Sequence, residues 1–282
     1  MQFSKLEGLG NDFVVIAGQE PEERDLARLA QRVCNRHFGV GADGLILFQR
    51  FLPPVQADLR MRIFNADGSE AELSGNGLRC LGAHLIHFGL HKDLCLRIET
   101  GAGLKQLHLV HQAPPEYVFE VEMGAPILER RCIPLNLLPD DAPLVGCKLT
   151  VGENSHRITI TSMGNPHCSL FVHDFETIDW EAIGSQLEVH SAFPNRTNVE
   201  FIRVASRSEI EVRFWERGVG RTNASGTGSC AAAVAAVLNG YTGRRVRVRT
   251  LGGDLEVAWR DDNSLFLKGP ARFICCGEYD DS

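Results

Sequence analysis

Apolar residues fall along this chain in two rhythms, and each rhythm predicts a type of element. Alternation or short apolar runs predict strands at Phe3 to Glu7, Phe13 to Ala17, Leu45 to Phe48 and Leu59 to Phe64. Further strands are expected at Leu94 to Glu99, Leu104 to His111 and Tyr117 to Met123. Leu26, Leu29, Ala30 and Val33 recur at helical spacing and predict a helix from about Glu22 to His37. Two other apolar, helix-forming runs, Leu81 to Leu90 and Ala231 to Leu238, each follow a glycine-rich turn.

The second half replays the first. Strands are expected at Arg157 to Met163 and Cys168 to Val172, then a helix from about Asp179 to His190. Strands Val199 to Val204 and Ile210 to Trp215 lead to the second glycine turn and its helix. Val246 to Thr250 and Leu255 to Trp259 flank Gly252-Gly253, as an earlier pair flanks Gly101-Ala102-Gly103. At a near-constant offset, Asn11 maps to Asn165, His37 to His190, Ser74 to Ser225 and Thr100 to Thr250. Matches kept in order over the whole chain predict an α+β protein of two similar domains that face each other. The two glycine turns then meet at a cleft, a usual place for a ligand.

Those turns read Ser74-Gly75-Asn76-Gly77-Leu78-Arg79-Cys80 and Ser225-Gly226-Thr227-Gly228-Ser229-Cys230. Glycine lets backbone approach a ligand, and the free N–H groups of a helix start attract an anion. A carboxylate between two helix starts, with one serine hydroxyl beside each, suits removal of a proton from one face of a carbon and its return on the other. The charge that develops next to the carboxylate is stabilised by the helix dipoles and N–H groups. No cofactor is expected: the chain has no P-loop, no dinucleotide fingerprint and no zincin motif.

Composition narrows the class further. The chain has 282 residues, 44% hydrophobic and 23% charged, with a net charge of −7. That balance suits a globular protein and provides no basic footprint for nucleic acid. No apolar run reaches about 18 residues, so no membrane span is expected. Nine cysteines without a CxxC pair, and an N-terminus without a signal-peptide core, predict reduced thiols in the cytoplasm. His84, His87 and His91 share one helical face but have no carboxylate at helical spacing, so no metal site is expected. Asn195-Arg196-Thr197 and Asn223-Ala224-Ser225 match the glycosylation pattern by coincidence in such a protein.

The runs Gly8-Leu9-Gly10-Asn11-Asp12-Phe13, Phe64-Asn65-Ala66-Asp67-Gly68-Ser69-Glu70, Gly75-Asn76-Gly77-Leu78-Arg79-Cys80, Met163-Gly164-Asn165-Pro166-His167 and Glu216-Arg217-Gly218-Val219-Gly220 resemble the diaminopimelate epimerase family, in order and over nearly the whole chain. The resemblance implies two pseudo-symmetric domains, each a curved, mostly antiparallel sheet wrapped around a central helix. Expected domains are 1–118, to which a strand at about 264–276 returns, and 119–263. It implies a cofactor-independent homodimer that converts LL- to meso-diaminopimelate for lysine and peptidoglycan synthesis. By position, Gly75, Asn76, Gly226 and Thr227 would hold the reacting carboxylate through backbone N–H groups. Asn11, Asn65, Asn165, Asn198 and Arg217 would bind the rest of the substrate, and an Arg217 fork suits a distal carboxylate. Glu216 would take the reacting ammonium group, and His167 would stand beside the catalytic pair.

The sequence departs from the family at the two acid/base positions. The family places cysteines immediately before the glycine turns; here they are Ser74 and Ser225. A thiol ionises near pH 8.5, whereas a serine hydroxyl needs an adjacent base to act. Four readings follow: an epimerase running on serines with help from His167 or Glu216, a relative with other chemistry on a similar amino acid, a binder without turnover, or deliberate substitution of the cysteines. Cys80 and Cys230, inside the helices, are not expected to replace the missing thiols. Arg221, in the loop before Ser225, either adds positive charge to the site or points to solvent.

Overall fold

A computed structural model describes residues 1–18, 25–51, 56–136, 142–152 and 154–280. It divides into two compact units, Met1–Glu122 with Lys268–Ser282, and Met123–Leu267.

In the first unit, β1 (Gln2–Gly8) and β2 (Asn11–Ala17) form an antiparallel hairpin. Helix α1 (Leu26–Val33), capped by the Asp25 carboxylate on Arg28 N, carries the chain back to β3 (Gly44–Arg50), parallel to β2. The helix is shorter than expected: Cys34 ends it, and 22–24 lie outside the described residues. β4 (Leu59–Asn65) runs antiparallel to β3, the short β5 (Glu70–Ala71) folds back on it, and α2 (Gly75–His87) follows. β6 (Cys95–Thr100) is parallel to β4; β7 (Gly103–Ala113) and β8 (Glu116–Gly124) continue antiparallel. The C-terminal strand, Leu265–Glu278, pairs with both β1 and β8 and so closes the sheet into a ring.

Helix α2 lies inside that ring, with every residue from Gly75 to Leu85 buried. A helix covered on all sides must pair whatever polar groups it buries and be slim where it meets the sheet. Gly82 shows the constraint, since a Cβ there would stand 2.4 Å from Leu107 Cδ2.

The second unit repeats the order. β9 (Cys147–Val151), β10 (Asn154–Ser162) and β11 (Pro166–Phe171) are successively antiparallel. Helix α3 (Trp180–Glu188), capped by Asp179, leads to β12 (Asn198–Ser206), parallel to β11. β13 (Glu209–Glu216) pairs antiparallel with β12, β14 (Gly220–Thr222) folds back on it, and α4 (Gly226–Leu238) follows. β15 (Arg245–Arg249) is parallel to β13, and β16 (Asp254–Trp259) is antiparallel to β15. The two parallel steps thus recur at matched places: β2 to β3 and β11 to β12 around a helix, β4 to β6 and β13 to β15 around the buried helix. Alanines make α4 slim enough to be buried from Cys230 to Ala236.

One expectation is corrected here. The glycine-rich runs are not turns before the helices; they are the first turns of α2 and α4, and Ser74 and Ser225 are the N-caps. Each serine has extended backbone and accepts a hydrogen bond from the N–H three residues on, Gly77 at 3.0 Å and Gly228 at 3.2 Å. Glycine is unfavourable inside a helix, so packing must demand it. A Cβ on Gly228 would meet Phe214 Cδ1 at 2.9 Å and Ser225 Cβ at 3.1 Å; one on Gly77 would meet the Ile63 methyl at 3.0 Å. An aromatic ring edge yields less readily than an isoleucine methyl. Gly228→Ala is therefore expected to cost about 1–3 kcal/mol, and Gly77→Ala less, as read by urea unfolding. Equal costs would show that the glycines serve backbone conformation instead of packing.

Candidate active site

Each unit gathers its predicted residues at the same ends of neighbouring strands, beside a serine-capped helix start. In the first unit these ends are joined by backbone bonds from Asp43 N to Asp12 O and from Ala66 N to Asp43 O. Asn11 donates from Nδ2 to Asp43 Oδ2 at 2.9 Å and accepts from Asn76 Nδ2 at 3.3 Å. Asn65, exposed at the end of β4, donates to Ser69 Oγ at 2.9 Å. An α-helix leaves its first N–H groups without internal acceptors. Ser74 satisfies that of Gly77, and among the described residues no acceptor pairs with the N–H groups of Gly75 and Asn76.

Two ionic devices hold this half in place. Asp12 takes Arg36 at 2.8 Å and Lys5 at 2.7 Å, and Arg36 also meets Asp43 at 2.7 Å. Burial alone would push the Asp12 carboxyl up, but hydrogen bonds from Arg36 and Lys5 outweigh it and hold the group at about 2. Its ionised form is thus favoured by folding. The contribution is fully present above the unfolded value of 3.8 and is lost as pH falls through about 2. Asp12→Asn is expected to cost about 2 kcal/mol at pH 7, with the gap to the parent closing as pH falls from 4 to 2. A pH-independent gap in urea unfolding would refute the linkage.

The second device is Arg79, fully buried within α2. It donates to Pro270 O at 2.9 Å, Gly75 O at 3.1 Å and Asn76 Oδ1 at 2.6 Å. Burial lowers it to about 10, which still leaves it charged at neutral pH. It orients the Asn76 amide and so, through it, Asn11.

In the second unit Asn165, Asn198 and Glu216 occupy the corresponding strand ends. His167, fully buried, spans the gap between Asn165 and a buried carboxylate: Nδ1 lies 2.6 Å from Glu200 Oε1 and Nε2 lies 2.9 Å from Asn165 Oδ1. Ser169 donates to the other Glu200 oxygen at 3.0 Å. Both His167 nitrogens are thus engaged, one by Glu200 and one by Asn165. Asn198 donates to Pro166 O and accepts from Arg217 N, each at 3.0 Å. Glu188 accepts from Trp215 Nε1 at 2.8 Å and Gly218 N at 2.9 Å, which braces the turn carrying Glu216 and Arg217. Arg217 is exposed; its guanidinium donates to Asn195 O at 3.2 Å, and no carboxylate among the described residues pairs with it.

The two helix starts differ in one respect. Ser225 accepts from Gly228 N and donates to Glu216 Oε2 at 2.9 Å, while Thr222 donates to Glu216 Oε1 at 2.6 Å. Burial pushes the Glu216 carboxyl up, and the two hydroxyls and His167 only partly offset it. The position matching Glu216 in the first unit is Asn65, so no carboxylate stands there. Among the described residues the Ser74 hydroxyl has one hydrogen bond, from Gly77 N.

Several other residues resolve plainly. Burial pushes the Cys230 thiol up to about 12 and raises Cys80 as well; neither is a ready base. Arg221 is exposed and pairs with Glu181 at 2.8 Å. His84, His87 and His91 go to different neighbours: His84 to the rings of Phe48 and Phe88, His87 to Tyr117 Oη, His91 to Cys95 O. Among the described residues, no three His, Cys, Asp or Glu side chains are grouped to hold a metal. Sequence reading missed Arg79, Asp43, Glu188 and Glu200 as site-organising residues. The signal for Arg79 was a lone cation in an apolar helix, and that for Glu200 a carboxylate inside an apolar strand.

Two repeated units, each with a serine-capped buried helix, define a fold shared with a methylitaconate isomerase and with phenazine biosynthesis proteins. A phenazine biosynthesis protein of the PhzF family from Bacillus anthracis superimposes with a TM-score of 0.69 at 18% identity, covering 99% of both chains. At the level of sequence, the diaminopimelate epimerase profile matches residues 3–129 and 159–274. The diaminopimelate epimerase of Pelotomaculum thermopropionicum is 47% identical over 99% of both chains, and that of Desulforudis audaxviator 48% identical over 99% of both. This chain belongs to the diaminopimelate epimerase family.

Proposed function

We propose that this protein interconverts LL- and meso-diaminopimelate by removing the α-proton from one face and returning one on the other, without a cofactor. What carries the reading is the pair of matched helix starts, each with two unclaimed N–H groups and a hydroxyl cap, in a chain of this family. The N–H groups of Gly75, Asn76, Gly226 and Thr227 hold the reacting carboxylate. As the α-carbon loses its proton, negative charge spreads onto that carboxylate, and each well-placed donor is worth about 3 kcal/mol there. Asn11, Asn65, Asn165 and Asn198 bind the remaining polar groups, and the Arg217 guanidinium takes the distal carboxylate. In this reading the protein acts in the cytoplasm as a homodimer, on the route to lysine and peptidoglycan precursors.

A second reading, substrate binding without turnover, is favoured by one observation: both serines are occupied as helix caps, and among the described residues no base is bonded to Ser74. Proton NMR of LL-diaminopimelate in deuterated water separates the two. Loss of the α-proton signal with growth of the meso form supports epimerisation; binding without exchange supports the second reading. Arg217→Met is expected to weaken diaminopimelate binding at least 10-fold by calorimetry, on the scale of losing a charge-assisted hydrogen bond. Unchanged affinity would remove the diacid substrate from consideration.

A further inference from the structure

We infer that Ser225 and Glu216 form a proton-relay pair that Ser74 lacks, so that α-proton exchange in this protein is one-sided, fast on the Ser225 face of the substrate and slow on the Ser74 face. The inference rests on the diaminopimelate reading above and adds which face is competent.

The geometry of one hydroxyl supports it. Ser225 Oγ receives Gly228 N–H and directs its own proton at Glu216 Oε2, 2.9 Å away. The cap bond keeps the side chain in one orientation, so the proton has one destination. Thr222 holds the other carboxylate oxygen and fixes the plane of the group. A serine hydroxyl is a poor base alone but transfers a proton well when a base stands behind it. In the step, the α-carbon–hydrogen bond breaks and its electron pair passes into the substrate carboxylate. The departing proton bonds to Ser225 Oγ as the Ser225 proton passes to Glu216 Oε2. Once the protons on both Ser225 Oγ and Glu216 have exchanged with solvent, reversal of the same step returns a solvent hydrogen from Ser225 Oγ to the same face, with retention, as the Glu216 proton passes back to Ser225.

Among the described residues nothing equivalent stands at the other helix start, where the Ser74 hydroxyl is bonded to Gly77 N alone. Asn65 stands where Glu216 would be, and its amide is committed to Ser69. If Ser74 gave its proton to the carbanion, an alkoxide would remain with no acid to restore it. Ser74 is therefore the slow partner, and inversion lags behind exchange.

Burial makes the relay better. Desolvation pushes the Glu216 carboxyl up from its ordinary value and so makes it a stronger base once ionised. The ionisable groups facing it are His167 on β11 and Glu200 on β12, of which the first favours and the second opposes its negative form. The exchange rate should rise with pH through the raised carboxylate range and then level off, with no further rise where a thiol would ionise.

The test incubates LL- and meso-diaminopimelate separately with the full chain in deuterated water. Chiral separation and mass spectrometry then read deuterium and configuration together. The expected result is that one isomer gains a single deuterium with retention, at least 10-fold faster than it inverts. Glu216→Gln keeps a hydrogen-bonding group for Ser225 and Thr222 but accepts no proton. It should lower that labelling at least 10-fold and abolish the acid limb of its pH profile, with affinity measured in parallel by calorimetry. Inversion as fast as labelling, or labelling that survives Glu216→Gln, would overturn the relay and leave the substrate reading intact. Binding without labelling of either isomer would also overturn the relay. Absence of both binding and labelling would overturn the substrate reading and the relay with it.

Discussion

Ser74→Cys is expected to raise the rate of diaminopimelate inversion by about 10²–10⁴-fold, the range that a well-placed general acid/base contributes. A thiol at this helix start ionises near neutral pH, and the adjacent N–H groups and helix dipole lower it further. A hydroxyl at the same place does not ionise. Ser225→Cys alone should help far less, since that face already has a carboxylate behind its hydroxyl. The double change Ser74→Cys with Ser225→Cys should then resemble the single Ser74→Cys in rate. Sulfur is a weak acceptor, so each change also weakens a helix cap and costs about 1 kcal/mol. The combination to look for is a faster, less stable protein. An NMR inversion assay with Ser74→Cys, Ser225→Cys and the pair checks the order. Equal gains from the two single changes would mean that the helix starts are equivalent after all. No gain from the pair would mean that the substrate is not diaminopimelate.

That asymmetry was invisible in the primary structure, though both serines and Glu216 stood out there. The repeat was legible because periodic apolar patterns and turn residues are local properties: the order of strands, the two buried helices and the strand-end asparagines all follow from short windows. Where the helices begin was misread for a physical reason. Glycine is normally a helix breaker, and only the proximity of Phe214 and Ile63, set by packing, makes it the required residue in the first turn. The pairings that organise the site join residues far apart in sequence. Glu200 meets His167 through the parallel register of β11 and β12, which places His167 opposite Asn198 and Ser169 opposite Glu200. Asp43 reaches Asn11 through the equivalent step between β2 and β3. No short window contains either pair. The same register sets the partners of His167, which bridges Glu200 and Asn165.

The largest loss of stability should come from Arg79→Met. Methionine keeps much of the volume and removes every donor. Three acceptors then lose their partner: Gly75 O and Asn76 Oδ1, which are buried, and Pro270 O, which is part-buried. A buried polar group left unpaired costs about 1–3 kcal/mol, and relief from burying a cation offsets part of the sum. A net loss of about 3 kcal/mol in urea unfolding is the expected outcome. Arg97→Met is the control, because Arg97 forms a surface pair with Asp58 at 2.7 Å and such pairs contribute about 1 kcal/mol or less. A second consequence separates Arg79 from an ordinary core residue. Without it the Asn76 amide is free to turn, Asn11 loses its neighbour, and the first helix start no longer presents a fixed pair of N–H groups. Affinity for diaminopimelate should therefore fall even under conditions where the variant remains fully folded. If Arg79→Met were as stable as Arg97→Met, the cation would be dispensable to the core. If stability fell but affinity held, Arg79 would support the ring of strands without organising the site.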